Sequence, residues 1–425
     1  MLAINKKLLG KGGIFLFANI LNAAIPFFML PILTRVLTPE DYGIVAMFAI
    51  FLSFANTFVG LSVHGAINVQ YFKLEQKRFS EYVTNCLILL LISASLVFLT
   101  VLLLGSYFES VVGIPYKWML IGVTVSFFQF LITIRLSIWV VTGAAKEYGS
   151  LQVSRTFVNA GLSLFFIFSI GLLWEGRLLG QVVAAVAFGI LAFILVTRSG
   201  YLVKPQNTKS DIKNALLFGL PLIPHAIGGF LMVSTDRVML ANMLDITVVG
   251  IYMVGLQLGQ AMSLLADSFN KVYAPWIMKN LSNPEINKEK LVKNSYIMMI
   301  AFLVVGLLWG LVAMIGLPYI VGERFMAAKS VIIYMCLAHA FTALYNIVGN
   351  YIFYAEKTKV LAIITFSVAI INIPLTYFLV RIYGIEGAAL AFLIAQILFF
   401  LATWFLSNKV LPMPWLTFLK VKQNA

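Results

Sequence analysis

Long apolar runs, each about the length of a membrane span and separated by short polar connections, set the pattern of this chain. Such runs lie near residues 12–37, 42–66, 83–105, 117–142, 150–173, 177–198, 215–240, 248–270, 292–315, 328–354, 360–380 and 384–407. About 20 apolar residues in a helix cross the hydrocarbon core of a bilayer, so the pattern predicts an all-α polytopic membrane protein with twelve transmembrane helices. Those helices use most of the chain and leave no stretch for a separate soluble domain. Inside the runs the polar residues recur at helical spacing. His339, Thr342, Asn346 and Asn350 share one face of a helix, as do Asn56, Gly60 and His64, and Asn19, Asn22 and Pro26. Gln257, Gln260, Asp267 and Lys271 form a fourth stripe, with Asp267 and Lys271 spaced as an ion pair. Polar groups in hydrocarbon are costly unless they face protein or water. Any one stripe is explained equally well by hydrogen bonding between helices, whereas four distributed over both halves favour a hydrated cavity.

The halves repeat one another. Phe15–Gly43 is an apolar span containing Pro26 and Pro31 that ends in Thr34-Arg35 and the turn Pro39-Glu40-Asp41, and Gly43 opens the next span. Leu216–Gly250 again passes through two prolines, Pro221 and Pro224, into a span ending in Asp236-Arg237, with Gly250 opening the next. Farther on, Lys146 and Asn159 correspond to Lys359 and Asn372, and Glu175-Gly176 to Glu386-Gly387. Six spans in each half place both halves in the same orientation, related by a pseudo-two-fold axis along the membrane normal. The expected organisation is an N-terminal six-helix bundle at 1–198, a cytoplasmic linker at 199–214, a C-terminal six-helix bundle at 215–407 and a cytoplasmic tail at 408–425, with a central cavity between the bundles. Asn159 and Asn372 are then expected in equivalent places. The spacings Gly255-x-x-x-Gly259 and Gly306-x-x-x-Gly310 suit close helix packing.

Composition agrees with a membrane protein and excludes a soluble domain. The chain is 61% hydrophobic and only 11% charged, with mean hydropathy +0.98, where soluble domains are roughly 45–50% apolar and about 25% charged. The net charge of +14 does not indicate nucleic acid, because the basic residues are dispersed among connections instead of forming one stripe. Lys6, Lys7 and Lys11 precede the first span, whose apolar run exceeds the roughly 7–15 residues of a cleavable signal. With the N-terminus inside, the outer connections hold only Arg35, Lys117, Arg177, Arg324, Lys329 and Arg381, and nearly all other basic residues fall on the inner side. The positive-inside rule therefore predicts both termini in the cytoplasm. Cys86 and Cys336 lie within apolar runs, where neither a disulfide framework nor a metal site is readable.

Charge inside the spans singles out the N-terminal half. Arg135 lies about two turns from the inner end of the fourth span and Arg155 about one turn inside the fifth, and no acid falls within the first six spans. That half is expected to be cationic inside, the alternative for each arginine being to snorkel to lipid phosphates. His64, His225 and His339 fall on the polar faces, as donors to a phosphate or as interhelical bonds. Pro221 and Pro224 interrupt the backbone beside His225. Asp236-Arg237 reads as an internal ion pair or gate latch. No phosphate-binding glycine loop, zinc-protease motif or paired carboxylate of a glycosidase is present.

The pattern formed by Thr34, Arg35, Leu37, Pro39, Asp41, Tyr42 and Gly43, with Gly219-Leu220-Pro221 and Asp236-Arg237, resembles the polysaccharide-biosynthesis (O-antigen) flippases of the multidrug/oligosaccharidyl-lipid/polysaccharide exporter superfamily. The resemblance covers nearly the whole chain in span number and spacing, and its motifs identify the fold better than the cargo. It implies a fold like that of the multidrug and toxin exporters. It also implies a non-enzymatic flippase of undecaprenyl-diphosphate-linked oligosaccharides in the bacterial inner membrane, working without a cofactor and alongside polysaccharide polymerase machinery. Cargo contacts are then expected at Arg135, Arg155, His64, His225, His339 and Asn346, because guanidinium forks suit a diphosphate and amides suit sugars. Arg35, Asp41, Gly43, Asp236 and Arg237 are expected in gating or structural roles. A drug or cation antiporter of the same superfamily, a lipid-II-type flippase and a membrane glycan polymerase remain the rival readings.

Overall fold

A computed structural model describes residues 21–22, 24–355 and 357–415. Its helices are α1 (Ala24–Val36), α2 (Pro39–Gly60), α3 (Val63–Tyr71), α4 (Gln76–Val112), α5 (Tyr116–Thr142), α6 (Ala145–Phe168), α7 (Trp174–Arg198), α8 (Thr208–Gly219), α9 (Ile223–Met243), α10 (Ile246–Leu281), α11 (Lys288–Ile320), α12 (Lys329–Tyr354) and α13 (Thr358–Val410). No strand occurs among the described residues. Among the described residues, nine helices are long and apolar enough to cross a membrane, or ten when the pair Thr208–Leu222 and Ala226–Met243, bent by 42°, is taken as one broken span. The 53 residues of α13 would extend about 80 Å as one straight helix, far beyond one bilayer. Gly384 divides it with φ 57° and ψ −131°, values a side chain would resist. The protein is therefore a multi-pass, all-helical membrane protein.

The ends of the helices follow from local chemistry. Thr38 caps α2 through its hydroxyl, which accepts from the Asp41 N–H at 3.1 Å, while the Asp41 carboxylate accepts from the Thr38 N–H at 2.9 Å. This reciprocal capping box satisfies two donors that the first helical turn leaves unpaired. It assigns Asp41 a structural part, and Gly43 is buried one turn into the same helix. At the corresponding place in the second half, Asp245 caps α10 by accepting from the Thr247 N–H at 2.6 Å. The Thr247 hydroxyl, followed by that N–H, holds the Asp245 carboxyl below its ordinary value.

By internal contacts the chain divides into two compact units at Phe230/Leu231. In the first unit, Trp118 packs on Phe48 and on Trp174, which gathers the starts of α5 and α7 against α2 at one end. Phe79 meets Tyr71 and Tyr201 at the other. Helix α4 is longer than its apolar run predicts, and its extra turns at the Phe79/Tyr201 end carry a polar network. Arg78 donates to both oxygens of Asp211, at 2.8 Å for one of them, and to Glu81 at 3.3 Å. Asn85 donates to Asp211 at 2.7 Å and to the Gln206 carbonyl at 2.8 Å. Tyr82 and Gln70 both donate to Asn214, and the Thr84 hydroxyl bridges the Tyr201 carbonyl and the Val203 N–H. The stretch read from sequence as a linker thus includes the start of α8 and is tied to α4. In the second unit, Tyr273, Tyr351 and Trp415 close a core over α10, α11 and α12.

Both halves build their last helical pair in the same way. Asn159 accepts from Ser163 one turn on, at 3.4 Å, and Asn372 accepts from Thr376 one turn on, at 3.3 Å. Gly176 lies against the backbone of Phe166 and Ile167, and Gly387 against that of Leu379 and Val380. The repeat read from isolated residues therefore recurs as matched contacts. The second contact is much the tighter. A Cβ on Gly387 would stand 2.0 Å from the Leu379 carbonyl oxygen, whereas the nearest atom to one on Gly176 is 3.1 Å away. Gly387→Ala is expected to destabilise the protein by about 1–3 kcal/mol, the usual cost of overpacking, and Gly176→Ala by clearly less. Thermal unfolding in detergent measures the difference.

Candidate functional site

The polar face predicted for the second span is built from two helices, not one. Leu61 and Ser62 take left-handed backbone angles, with φ 43° and 53°, which separate α2 from α3. Side chains at such angles are strained. The break is held from outside. Gly219, at the end of α8, lies so close to the Leu61 carbonyl oxygen that a Cβ would meet it at 1.9 Å, and Phe218 lies over Gly65. The turn at Leu220–Leu222, the interruption foreseen from Pro221 and Pro224, follows directly. Two interrupted helices therefore meet backbone to backbone beside His64.

The face itself is under-satisfied. Asn56 donates to Gln129 of α5 at 3.3 Å, and the His64 ring lies 5.9 Å from that of Phe130, also on α5. Asn56 Oδ1, His64 Nδ1 and Asn68 Oδ1 are buried without a hydrogen-bond partner. Asn68 continues the four-residue spacing of Asn56, Gly60 and His64. Sequence reading stopped at His64, although the same periodicity points one turn further. Buried polar atoms are nearly always paired with protein or water, so three on one face mark a place for water or a polar ligand.

Arg135 completes this unit's polar interior. It lies on α5, 7% exposed, with its guanidinium carbon 4.4 Å from the centre of the Trp139 ring. Its Nε is buried without a partner, and no carboxylate lies within ion-pair distance among the described residues. Glu147, one helix on, and Tyr201 act on it only electrostatically. An aromatic face beneath it and an unused N–H leave this guanidinium able to receive an anion. Arg155 is half-buried on α6 and forms no hydrogen bond or ion pair among the described residues. Of the acids buried in this unit, Glu81 and Asp211 are matched by Arg78, and Asp41 is held in the capping box of α2.

In the second unit, His339 accepts from or donates to Ser263 through Nδ1 at 2.7 Å, while its Nε2 is buried without a partner. Gly259, from the small-residue spacing on α10, lets α12 approach closely beside this ring. Asn350 donates to Asn270 at 2.8 Å and to the Asn346 carbonyl at 2.6 Å, so Asn346 enters the stripe through its backbone. Asp236 and Arg237 form a buried ion pair at 3.2 Å, and Tyr252 donates to the other oxygen of Asp236. Asp267 and Lys271 are exposed and outside ion-pair range of each other. Arg35 donates to the Pro31 carbonyl at 3.0 Å at the end of α1. His225 lies on α9, and its side chain falls outside the described residues.

One polar cluster escaped the sequence. Arg177, expected in an outer connection, lies inside the first turn of α7 and donates through Nη1 to Asn159 and Ser163, each at 3.0 Å. The signal was the Asn159-x-x-x-Ser163 spacing, which places two acceptors on one face of α6 for a donor from a neighbouring helix.

Comparison with known proteins agrees with this architecture. The chain is similar to the Lsg locus putative protein 1 of Haemophilus influenzae, 25% identical over 358 residues, which span 82% of this chain and 85% of that one. An uncharacterized membrane protein of the same organism is 26% identical over 366 residues, spanning 83% and 85%. Among solved structures, the lipid II flippase MurJ in an inward closed conformation superposes with TM-score 0.72 at 16% identity, covering 92% of this chain and 86% of that one. An inward-facing multidrug resistance MATE transporter of the MOP superfamily gives 0.69 at 16% identity, covering 96% of both. These structures establish the fold. The family described as polysaccharide biosynthesis protein matches residues 8–281, well over half of the chain, and the protein belongs to that family.

Proposed function

We propose that the protein is a flippase that carries an undecaprenyl-diphosphate-linked oligosaccharide from the cytoplasmic to the outer leaflet of a bacterial inner membrane, by alternating access, for O-antigen, capsule or another surface polysaccharide. The observation that carries this reading is Arg135, a buried guanidinium with an unused N–H and no acid to neutralise it. A diphosphate supplies what that group lacks, and the unpaired amide and imidazole atoms of Asn56, His64 and Asn68 suit sugar hydroxyls. Twelve spans with both termini in the cytoplasm fit this cargo route. The fold shared with a lipid II flippase accommodates such a lipid-linked saccharide. A cation antiporter would need an open carboxylate within the membrane; Asp236 is already held by Arg237 and Tyr252, which leaves Asp267, exposed on α10, as the carboxylate an antiporter would use.

Deleting the gene is expected to leave lipid-linked repeat units accumulating on the cytoplasmic leaflet, as measured by lipid extraction and leaflet-selective labelling. Units that reach the outer leaflet but remain unpolymerised would indicate a polymerase instead. Unchanged lipid-linked units with increased sensitivity to cationic drugs would indicate an antiporter.

A further inference from the structure

We infer that Arg177, with Asn159 and Ser163, forms a second phosphate-binding site at the Trp118/Trp174 end of the first unit, where the diphosphate of the cargo is held after leaving Arg135. The inference rests on the flippase reading above and locates a later stage of the same passage.

The side chains at this place are arranged for a ligand. Arg177 uses one nitrogen, Nη1, for both of its hydrogen bonds, to Asn159 Oδ1 and Ser163 Oγ. The Ser163 hydroxyl in turn lies 3.2 Å from the Arg177 carbonyl, to which it can donate, and Gly180 permits the approach, since a Cβ there would stand 2.4 Å from the Ser163 nitrogen. The guanidinium is thereby fixed in orientation. Its Nε and Nη2 donate to no atom among the described residues, and the residue is only partly buried. These are the two parallel donors with which arginine grips a carboxylate or phosphate in bidentate fashion. No carboxylate lies within 4.0 Å of Arg177 among the described residues, and the phenol of Tyr42 is the titratable group within electrostatic reach. A fixed positive charge inside a membrane helix, with its fork open and no acid beside it, selects an anion. Intramembrane charges of this kind mark substrate pathways.

Its position supplies the direction. Arg135 lies seven residues from the end of α5, roughly 10 Å along the helix, and Arg155 ten residues from the start of α6, roughly 15 Å. Asn159 and Ser163, which hold Arg177, are one and two turns beyond Arg155 on the same helix. Three guanidinium groups are thus spaced along the unit from the Thr142/Ala145 end toward the Trp118/Trp174 end. Arg155 and Asn159 flank the protein-facing side of α6, whereas Ser154, Phe157, Val158 and Gly161 are exposed. A phosphate moving from one arginine to the next keeps a counter-charge throughout the crossing.

A phosphate at this end has two sources, the cargo and a lipid headgroup, and one experiment distinguishes them. The intact protein is placed in nanodiscs of phosphatidylcholine, with or without phosphatidylglycerol, treated with 2,3-butanedione in borate, and the modification of Arg177 is followed by peptide mass spectrometry. Arg177 is expected to react in phosphatidylcholine, and farnesyl diphosphate is expected to slow that reaction about tenfold, the effect of one charge-assisted hydrogen bond or more, while farnesol leaves it unchanged. An Arg177 that does not react without ligand, that reacts equally with and without farnesyl diphosphate, or that phosphatidylglycerol alone protects, overturns the assignment. Direct binding of farnesyl diphosphate to the same nanodiscs separates the two levels. If it binds and Arg177 is unprotected, the second site fails and the flippase reading stands. If it does not bind at all, both fail. Arg177→Lys, which keeps the charge and loses the fork, is expected to weaken binding while preserving insertion.

Discussion

Arg135→Ala is expected to abolish most export of lipid-linked oligosaccharide while leaving the protein inserted and at normal abundance. The guanidinium is buried against Trp139 with an unpaired Nε, so removing it deletes the proposed cargo contact without orphaning a protein acceptor. A hydrogen bond to a charged partner contributes roughly 1.5–3 kcal/mol, which corresponds to about a tenfold to hundredfold loss of affinity. Arg135→Lys separates recognition from anchoring. Lysine retains the charge but loses the planar fork and much of the stacking on Trp139, so cargo recognition predicts partial export. An arginine that only reaches lipid phosphates predicts nearly full export with lysine. Export by Arg135→Ala at the normal rate would remove the main residue from the proposed mechanism. Quantifying surface polysaccharide beside membrane abundance decides among these outcomes.

Asp211→Ala is expected to have the largest effect on stability. The carboxylate is 4% exposed and accepts from Arg78 through both oxygens and from Asn85 through one. Its loss leaves a guanidinium and an amide beside the still-charged Glu81, and removing one member of a buried pair costs about 3–5 kcal/mol. Because Arg78 is 30% exposed on its side chain, water recovers part of this cost, and a value near the lower limit is expected. The same change should free the start of α8 from α4, so that protease cleavage within residues 204–210 rises together with the fall in unfolding temperature. Asp211→Asn, which keeps acceptor and donor capacity, should lose less. Equal stability of Asp211→Ala and the parent protein would show that the network does not tie α8 in place.

The span pattern, the repeat, the membrane class and several individual relations were determined by the sequence alone, because each depends on spacing along one helix or on adjacency. Polar residues four apart share a face of a continuous helix, so the stripe at His339–Asn350 was legible, whereas the one at Asn56–His64 is interrupted by the turn at Leu61 and Ser62. The neighbours Asp236 and Arg237 needed no fold to be read as a pair, and Pro221 with Pro224 announced a broken helix. The family resemblance rests on the same kind of local signal, the short motifs from Thr34 to Gly43.

Tertiary structure decided which groups acquire partners from other helices. Nothing local requires Leu61 and Ser62 to adopt left-handed angles, and the break there accompanies the close approach of Gly219 from a helix far along the chain. Asp211 lies in the stretch read as a linker, and its enclosure by Arg78 and Asn85 makes α8 part of the first unit. Arg177 reads from the sequence as another connection residue, and its placement inside α7 against Asn159 and Ser163 makes it a candidate site. Periodicity specifies the face of a helix that is polar; the helix opposite that face determines whether a polar atom is satisfied, paired or left open to a ligand.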